Sequence, residues 1–343
     1  MTREQLYLSS IAVSALFSFF LTPTVRAVAV RMQWLDEPST EVKTHKVATP
    51  VLGGVAVWLA FACTLAALRL LTNFPTGTLY RLRSVLAGGG IVFLLGLIDD
   101  LQKPQGLDYR VKFAVQFTAA ALLVYFGISL RFITPEYLAV GLTLLWVVGI
   151  TNAMNIIDIM DGLTATQTAV AALAFLLIAL PSEEIYVNFT AAALLGSVLG
   201  FLPWNLSSRY KIFMGDGGAL FVGFVLAAMA LGTDYSRINP LGVYAPILIL
   251  MVPIFDVLYV MIMRLRKGQS PFRGSKDHFA LRLEAMGLGR IPIVMLSVIC
   301  SGILALFAFL VTRVNTPWAV LIYGGVAVWV FFVARHISQV EVR

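Results

Sequence analysis

Apolar runs long enough to cross a bilayer recur along the whole of this 343-residue chain, and that repetition constrains its fold more than any single motif. A span needs about 20 mainly apolar residues, roughly 17 to 25 with tilt, and shorter runs serve inside a bundle. Eleven runs begin near Leu6, Val47, Ser84, Phe113, Tyr137, Gly162, Ile185, Ile212, Leu241, Ile291 and Trp318, the third and fifth reading as short. In lipid, backbone amides have no water to bond, so a span satisfies them internally or in a closed barrel. The strict alternation of barrel strands is absent. The expected fold is therefore all-α, a polytopic membrane helical bundle of about eleven transmembrane helices forming a single domain over residues 1–343. Composition agrees, with 59% of residues apolar and 13% charged; a soluble domain, a secreted disulfide scaffold and a disordered chain are excluded.

The first run, about Leu6 to Val25, exceeds a signal-peptide core and reads as an uncleaved span, although Ala27-Val28-Ala29 resembles a cleavage site. Cys63 and Cys300 stand alone in apolar runs and read as small core hydrophobes. The 25 Lys and Arg outnumber the 18 Asp and Glu, and their placement explains why. Translocation disfavours cations in short exported loops. Assigned to alternate sides of the spans, 18 cations fall on one side and 7 on the other. This places the N-terminus outside and the C-terminus in the cytoplasm, makes the basic balance a topological signal, and leaves no basic stripe for nucleic acid.

Five polar segments fall on the cytoplasmic side: residues 36–54, 99–116, 152–163, 207–218 and 264–290. Asp99-Asp100 closes an apolar helix, where paired carboxylates oppose the macrodipole and repel each other unless a cation, a raised pKa or good solvation compensates. Asn152, Asn155, Asp158 and Asp161 recur every third residue, which on a helix makes one polar ridge. Such a ridge is costly in a membrane, so a functional site is the default reading and a structural seam the alternative. In Phe213-Met214-Gly215-Asp216-Gly217-Gly218 the glycines permit close backbone approach to a ligand, and an acid near a helix start can ligate a divalent cation. The alternative is a capping Asp with glycines that pack.

Seven cations between Arg264 and Arg290, beside this many carboxylates, read as the phosphate-binding half of a metal-assisted site. Asp256, about 12 Å before Arg264 along a helix at ~1.5 Å per residue, is expensive unless paired or wet. It reads as lining the cavity, orienting a basic side chain or serving a structural pair. His45 and His278 lie in polar segments, and no spacing supports zinc.

From about Asp36 to Arg282 these segments, in this order, resemble the polyprenyl-phosphate N-acetylhexosamine-1-phosphate transferase family, in particular its undecaprenyl-phosphate GlcNAc-1-phosphate transferase branch. The resemblance implies transfer of a sugar 1-phosphate from a UDP-N-acetylhexosamine to undecaprenyl phosphate. UMP would be released and lipid-linked envelope glycan synthesis begun at the bacterial inner membrane. It implies that one of Asp99 and Asp100 deprotonates the lipid phosphate, that Asn155 and Asp216 hold Mg²⁺ or Mn²⁺, and that Phe213 stacks on uracil. Asp158 and Asp161 match acidic donor-site positions, Lys112 and Gln116 a polar pair opening the next helix, and Asn152 joins them as an expected substrate-binding residue. Lys46, Arg273, His278 and Arg282 complete the expected substrate-binding set.

Two positions depart from the family pattern: Ile159 stands where Gly is usual, and the late His-rich motif appears as Asp277-His278-Phe279-Ala280-Leu281-Arg282. That leaves the hexosamine open, as it does a homodimer. Within the same family a phospho-MurNAc-pentapeptide translocase is the competing reading. A CDP-alcohol phosphotransferase is weakened because the DxxDG of residues 158–162 lacks its downstream acidic pair, and a prenyltransferase because Lys103 stands where further acids belong. An anionic-substrate transporter is weakened because the polar groups crowd one face and the halves are unlike.

Overall fold

The computed structural model describes residues 2–38, 47–71, 78–103, 105–181, 185–270 and 275–340. The long helices are α1 (Arg3–Arg31), α2 (Gly53–Leu71), α3 (Thr78–Leu101), α4 (Tyr109–Tyr125), α5 (Glu136–Ile156), α6 (Leu163–Ala179), α7 (Ile185–Asn205) and α8 (Gly215–Gly232). A 3-10 turn (Pro240–Tyr244) leads into short α9 (Ala245–Ile249), followed by α10 (Met251–Arg266), α11 (Phe279–Ala285), α12 (Arg290–Val311) and α13 (Thr316–Ser338). Strands β1 (Leu35–Asp36) and β2 (Thr49–Pro50) pair antiparallel, Leu35 opposite Pro50 and Asp36 opposite Thr49.

The chain is an all-α polytopic membrane bundle, and each expected apolar run coincides with a helix. The count of eleven spans is not reached. Eight described helices are long and apolar enough to cross a membrane, nine if the pair broken at Leu250 counts as one span. That pair bends by 71°; Pro253, in the first turn of α10, has no N–H to return to Ile249, so the helix cannot run on unbroken. The short members also differ from expectation. The third and fifth helices have 24 and 21 residues, because α3 reaches back to Thr78 through Arg81 and Arg83, whereas α4 and α6 have 17 each.

Helices α7 and α8 form the centre, buried on nearly every face. Small residues let the neighbours approach. Helix α1 places Ser10, Ser14, Ser18 and Thr22 at every fourth position against α7, where a Cβ on Gly196 or Gly200 would strike the α1 backbone. Ser14 Oγ donates to the Ala193 carbonyl at 2.8 Å across that seam. Cys63 points outward rather than into the core and Cys300 is half-buried; with lipid outside, an apolar side chain gains nothing by facing inward.

The packing that matters for the site is α3 against α8. A Cβ on Gly96 would land on the Asp216 carbonyl, and one on Gly217 would press on the α3 backbone at Phe93 and Leu97. Gly218 does the same against Gly54 at the start of α2, whose neighbours' amides bond the incoming loop: Gly53 N–H to Phe213 O at 2.9 Å and Gly54 N–H to Met214 O at 2.8 Å. Gly217 and Gly218 thus serve helix contact, the packing alternative. Gly96→Ala is expected to force α3 off α8 and lower stability by about 1–3 kcal/mol, the usual cost of overpacking. A thermal melt in detergent beside Gly141→Ala, which meets nothing within 4 Å, checks it.

Candidate active site

The α3–α8 contact brings the three strongest candidate acids together. Asp99 and Asp100 end α3, and Asp216 lies in the first turn of α8. Asp99 comes within hydrogen-bonding reach of Asp216. Left alone the three would repel, and each is compensated. Asp99 accepts the Leu107 N–H at 2.6 Å and pairs with Lys112. Asp100 accepts the Gly217 N–H at 3.0 Å and Lys103 at 2.8 Å. Asp216 accepts the Asn155 amide at 2.9 Å, with Lys103 and Lys112 at 3.7 and 3.9 Å. The carboxylate on the first amides of α8 is therefore that of Asp100, a long-range cap favoured by the helix dipole.

Asn152 and Asn155 occupy the last turns of α5, but the helix ends at Ile156 and Asp158 and Asp161 follow in a turn. The expected four-residue ridge is thus two residues of helix and two of loop. Gly162, at φ +79°, closes that turn, where a left-handed backbone favours glycine. Asn205, at the end of α7, fixes it: its Oδ1 accepts Gly162 N–H at 2.6 Å while its Nδ2 donates to Ile212 O at 2.9 Å. One amide therefore staples the 157–162 turn to the strand of chain that leads into α8.

Between these segments lies a cavity of about 250 Å³, lined among others by Asp36, Lys103, Asp158, Asp161, Lys211, Phe213, Asp216 and His278. Asp36 arrives through the β1–β2 pairing. Lys211 pairs with Asp161 at 2.5 Å and stands 5.1 Å over the Phe213 ring. A larger cavity, about 1860 Å³, opens where α3 begins and α8 ends, with Arg81, Arg131, Arg237 and many aromatics, and with Asp234 as its one lining carboxylate among the described residues.

The remaining expected residues divide. Lys112 stays with the acid cluster, and Gln116 and Asn152 bond each other at 2.5 Å across α4 and α5. His278 lines the cavity with its Nδ1 2.8 Å from Asp256. Arg282 is directed elsewhere: 2% exposed, it bonds Asp277 at 2.8 Å, Ile337 O at 3.2 Å and the Val340 carbonyl, tying α11 to the end of α13. Its guanidinium holds protein, not cavity. Lys46, His45 and Arg273 lie outside the described residues. Asn205, Lys211 and the place of Lys103 among the acids escaped the sequence reading; for the first two the signals were a lone Asn ending an apolar run and a lysine two residues before Phe213.

Two loop acids respond oppositely to pH. Burial, with the Asp216 charge adding to it, pushes the Asp158 carboxyl from 3.8 up to about 7. The folded chain then keeps a proton that the unfolded chain loses near pH ~4, so stability drains as pH rises from about 4 to 7. Asp277 is held below the usual carboxylate range: burial opposes its charge, but Lys267 and Arg282 outweigh burial. Its contribution is full above about pH 4 and is lost as pH falls below that. The decline of melting temperature between pH 4 and 7 should therefore be shallower in Asp158→Asn. Arg282→Ala, which leaves Asp277 to Lys267 alone and removes the side-chain bonds to the Ile337 and Val340 carbonyls, is expected to cost about 1–3 kcal/mol, read as a fall in melting temperature at neutral pH.

The family model described as glycosyl transferase family 4 matches residues 82–234, which contain the acid cluster, the α5 amides and the Phe213–Gly218 segment. The probable undecaprenyl-phosphate N-acetylglucosaminyl 1-phosphate transferase of Bacillus subtilis is 31% identical over 89% of this chain and 85% of its own length. The decaprenyl-phosphate N-acetylglucosaminephosphotransferase of Mycolicibacterium smegmatis is 31% identical over 94% of this chain and 86% of its own. The undecaprenyl-phosphate alpha-N-acetylglucosaminyl 1-phosphate transferase of Escherichia coli K12 is 26% identical over 96% and 92%.

Proposed function

This chain belongs to glycosyl transferase family 4, and on that footing we propose that it moves N-acetylglucosamine 1-phosphate from UDP-N-acetylglucosamine to undecaprenyl phosphate. UMP leaves, and the lipid-linked sugar starts an envelope glycan. The observation that carries the reading is the meeting of Asp99, Asp100, Asp216, Lys103 and Lys112 beside a cavity that also holds Phe213 and Asp158. Joining a lipid phosphate to a nucleotide diphosphate crowds negative phosphoryl groups together, and cations placed in advance are what such a reaction needs.

A divalent cation fits this donor set. Among the described residues no group of three or more His, Cys, Asp and Glu is arranged to hold a metal. Mg²⁺ nevertheless needs only one or two protein carboxylates, completing its shell with phosphate oxygens and water. Asp216 would hold it, with Asn155 presenting its amide oxygen after a half-turn of the side chain. When bound, Mg²⁺ or Mn²⁺ offsets pyrophosphate charge and eases cleavage of the bond to UMP.

The protein's own groups do the rest. Asp99, between Lys112 and Asp216, takes the proton from the acceptor phosphate. A phosphate oxygen then attacks the sugar-linked phosphorus, and the phosphorus–oxygen bond to UMP breaks. Asp100, whose oxygens like those of Asp99 are both engaged, bonds Lys103 and the first turn of α8 and so holds Asp216 in place. Lys103 and Lys112 offset the gathering charge, Phe213 offers its ring to uracil, and Asp158, Asp161 and Lys211 border the sugar and phosphates. The polyprenyl tail lies between helices, so the lipid stays in the bilayer. The chain sits in the bacterial inner membrane with its N-terminus outside, its C-terminus inside and the site facing the cytoplasm, as the distribution of cations supports.

Membranes carrying the protein and undecaprenyl phosphate are expected to release UMP from UDP-N-acetylglucosamine, to stop with chelator and to resume with Mg²⁺ or Mn²⁺. No release across a panel of UDP-N-acetylhexosamines, including the muramoyl-pentapeptide donor, rejects the function. Asp99→Asn should lower kcat by about 10²- to 10⁴-fold with the protein still folded. Asp216→Ala should abolish turnover nearly completely.

A further inference from the structure

Asp256 is the one acid of α10, 0% exposed, and the mechanism above does not use it. Both of its oxygens are engaged at the start of α11. Oδ2 is 2.8 Å from His278 Nδ1, and Oδ1 accepts the Phe279 N–H at 2.9 Å. An ionised carboxylate only accepts, so this contact places a proton on Nδ1 and fixes the ring's rotation. His278 lines the same cavity as Asp158, Phe213 and Asp216. With Nδ1 turned to Asp256, Nε2 is the polar atom the ring offers to whatever fills that cavity.

We propose that Asp256 is a positioning residue that acts through His278, holding its imidazole so that Nε2 is turned to the diphosphate of the nucleotide-sugar donor. A carboxylate at Nδ1 and a phosphate oxygen at Nε2 would each accept from the ring, so that the imidazole bridges the buried acid and the donor. The cavity needs such a group. Four of its lining side chains are carboxylates, those of Asp36, Asp158, Asp161 and Asp216, and a diphosphate entering among them requires cations aimed at it. Arg282 and Lys267 are both committed to Asp277, so among the described residues of this stretch the basic side chains that line the cavity are His278 and Arg290, the latter paired with Glu284 at 2.9 Å. The Phe279 contact adds a second constraint: it pins the backbone after His278 to the same carboxylate, fixing both ring and main chain from α10.

This inference rests on the donor being a uridine diphosphate sugar, and the test separates the two. Inhibition of the wild-type enzyme by UDP and by uridine is compared with that of Asp256→Asn, His278→Gln and the double variant, with KM and kcat for the donor measured alongside. Asp256→Asn keeps the side chain's shape but turns an N–H toward Nδ1. It is expected to raise KM and the UDP inhibition constant about tenfold while leaving uridine and kcat nearly unchanged. His278→Gln should give the same split, and the double variant should be no worse than His278→Gln alone. Equal weakening of UDP and uridine, unchanged UDP, or full additivity in the double variant overturns the proposal. If Asp256→Asn does not fold, the split in His278→Gln decides. A wild-type enzyme that releases no UMP from any UDP-N-acetylhexosamine overturns the function itself, whereas an active enzyme without the split overturns only the dyad.

Discussion

Close contact between α3 and α8 is the constraint on which the rest of this structure depends. Gly96 and Gly217 remove the two methyl groups that would hold the helices apart, and the backbones then approach until the end of one meets the beginning of the other. Two carboxylates from a helix C-terminus and one from a helix N-terminus are thereby forced into a single site. Such a cluster is stable only with compensation, which comes from Lys103, Lys112, the Gly217 and Leu107 amides and the Asn155 side chain. The dipole of α8 adds to it, because Asp100 lies where that helix is most positive.

Around this fixed centre the loops are pinned by backbone bonds rather than by bulk. The segment before α8 is held on one side by the Gly53 and Gly54 amides and on the other by Asn205, which also grips the turn carrying Asp158 and Asp161. The third wall is attached differently. Asp256 and Arg282 anchor α11 to α10 and to the end of α13, so that His278 is presented from a rigid corner. A membrane enzyme that takes one substrate from lipid and another from water benefits from this arrangement: the apolar helices stay in the bilayer while the reacting groups meet where the helices end.

Much of the candidate site was readable one segment at a time. Asp99-Asp100, the amides and acids of 152–161 and Phe213 to Asp216 were each conspicuous because polar groups are scarce in a chain this apolar. What misled were faces and ends. A three-residue repeat reads as one helical ridge, although α5 ends at Ile156 and Asp158 and Asp161 fall in the turn that Gly162 closes before α6. Cys63 was assigned to the core because an apolar environment was equated with the interior, which fails where the solvent is itself apolar. Arg282 looked like a phosphate ligand by its neighbours in sequence, but its side chain runs the other way, to carbonyls some 55 residues downstream.

Helical class and membrane residence were settled along the chain, since a run of apolar residues in lipid has almost no alternative to bonding its own backbone. So was the set of residues fit for phosphate chemistry, because each is costly where it stands. Which of them meet was decided only in three dimensions. The partnership of Asp100 with the first turn of α8, of Lys211 with Asp161 and of Asp256 with His278 joins positions 117, 50 and 22 residues apart. Periodicity carries no information about such pairings, because they follow from how closely two helices pack, and that depends on the shapes of both surfaces at once.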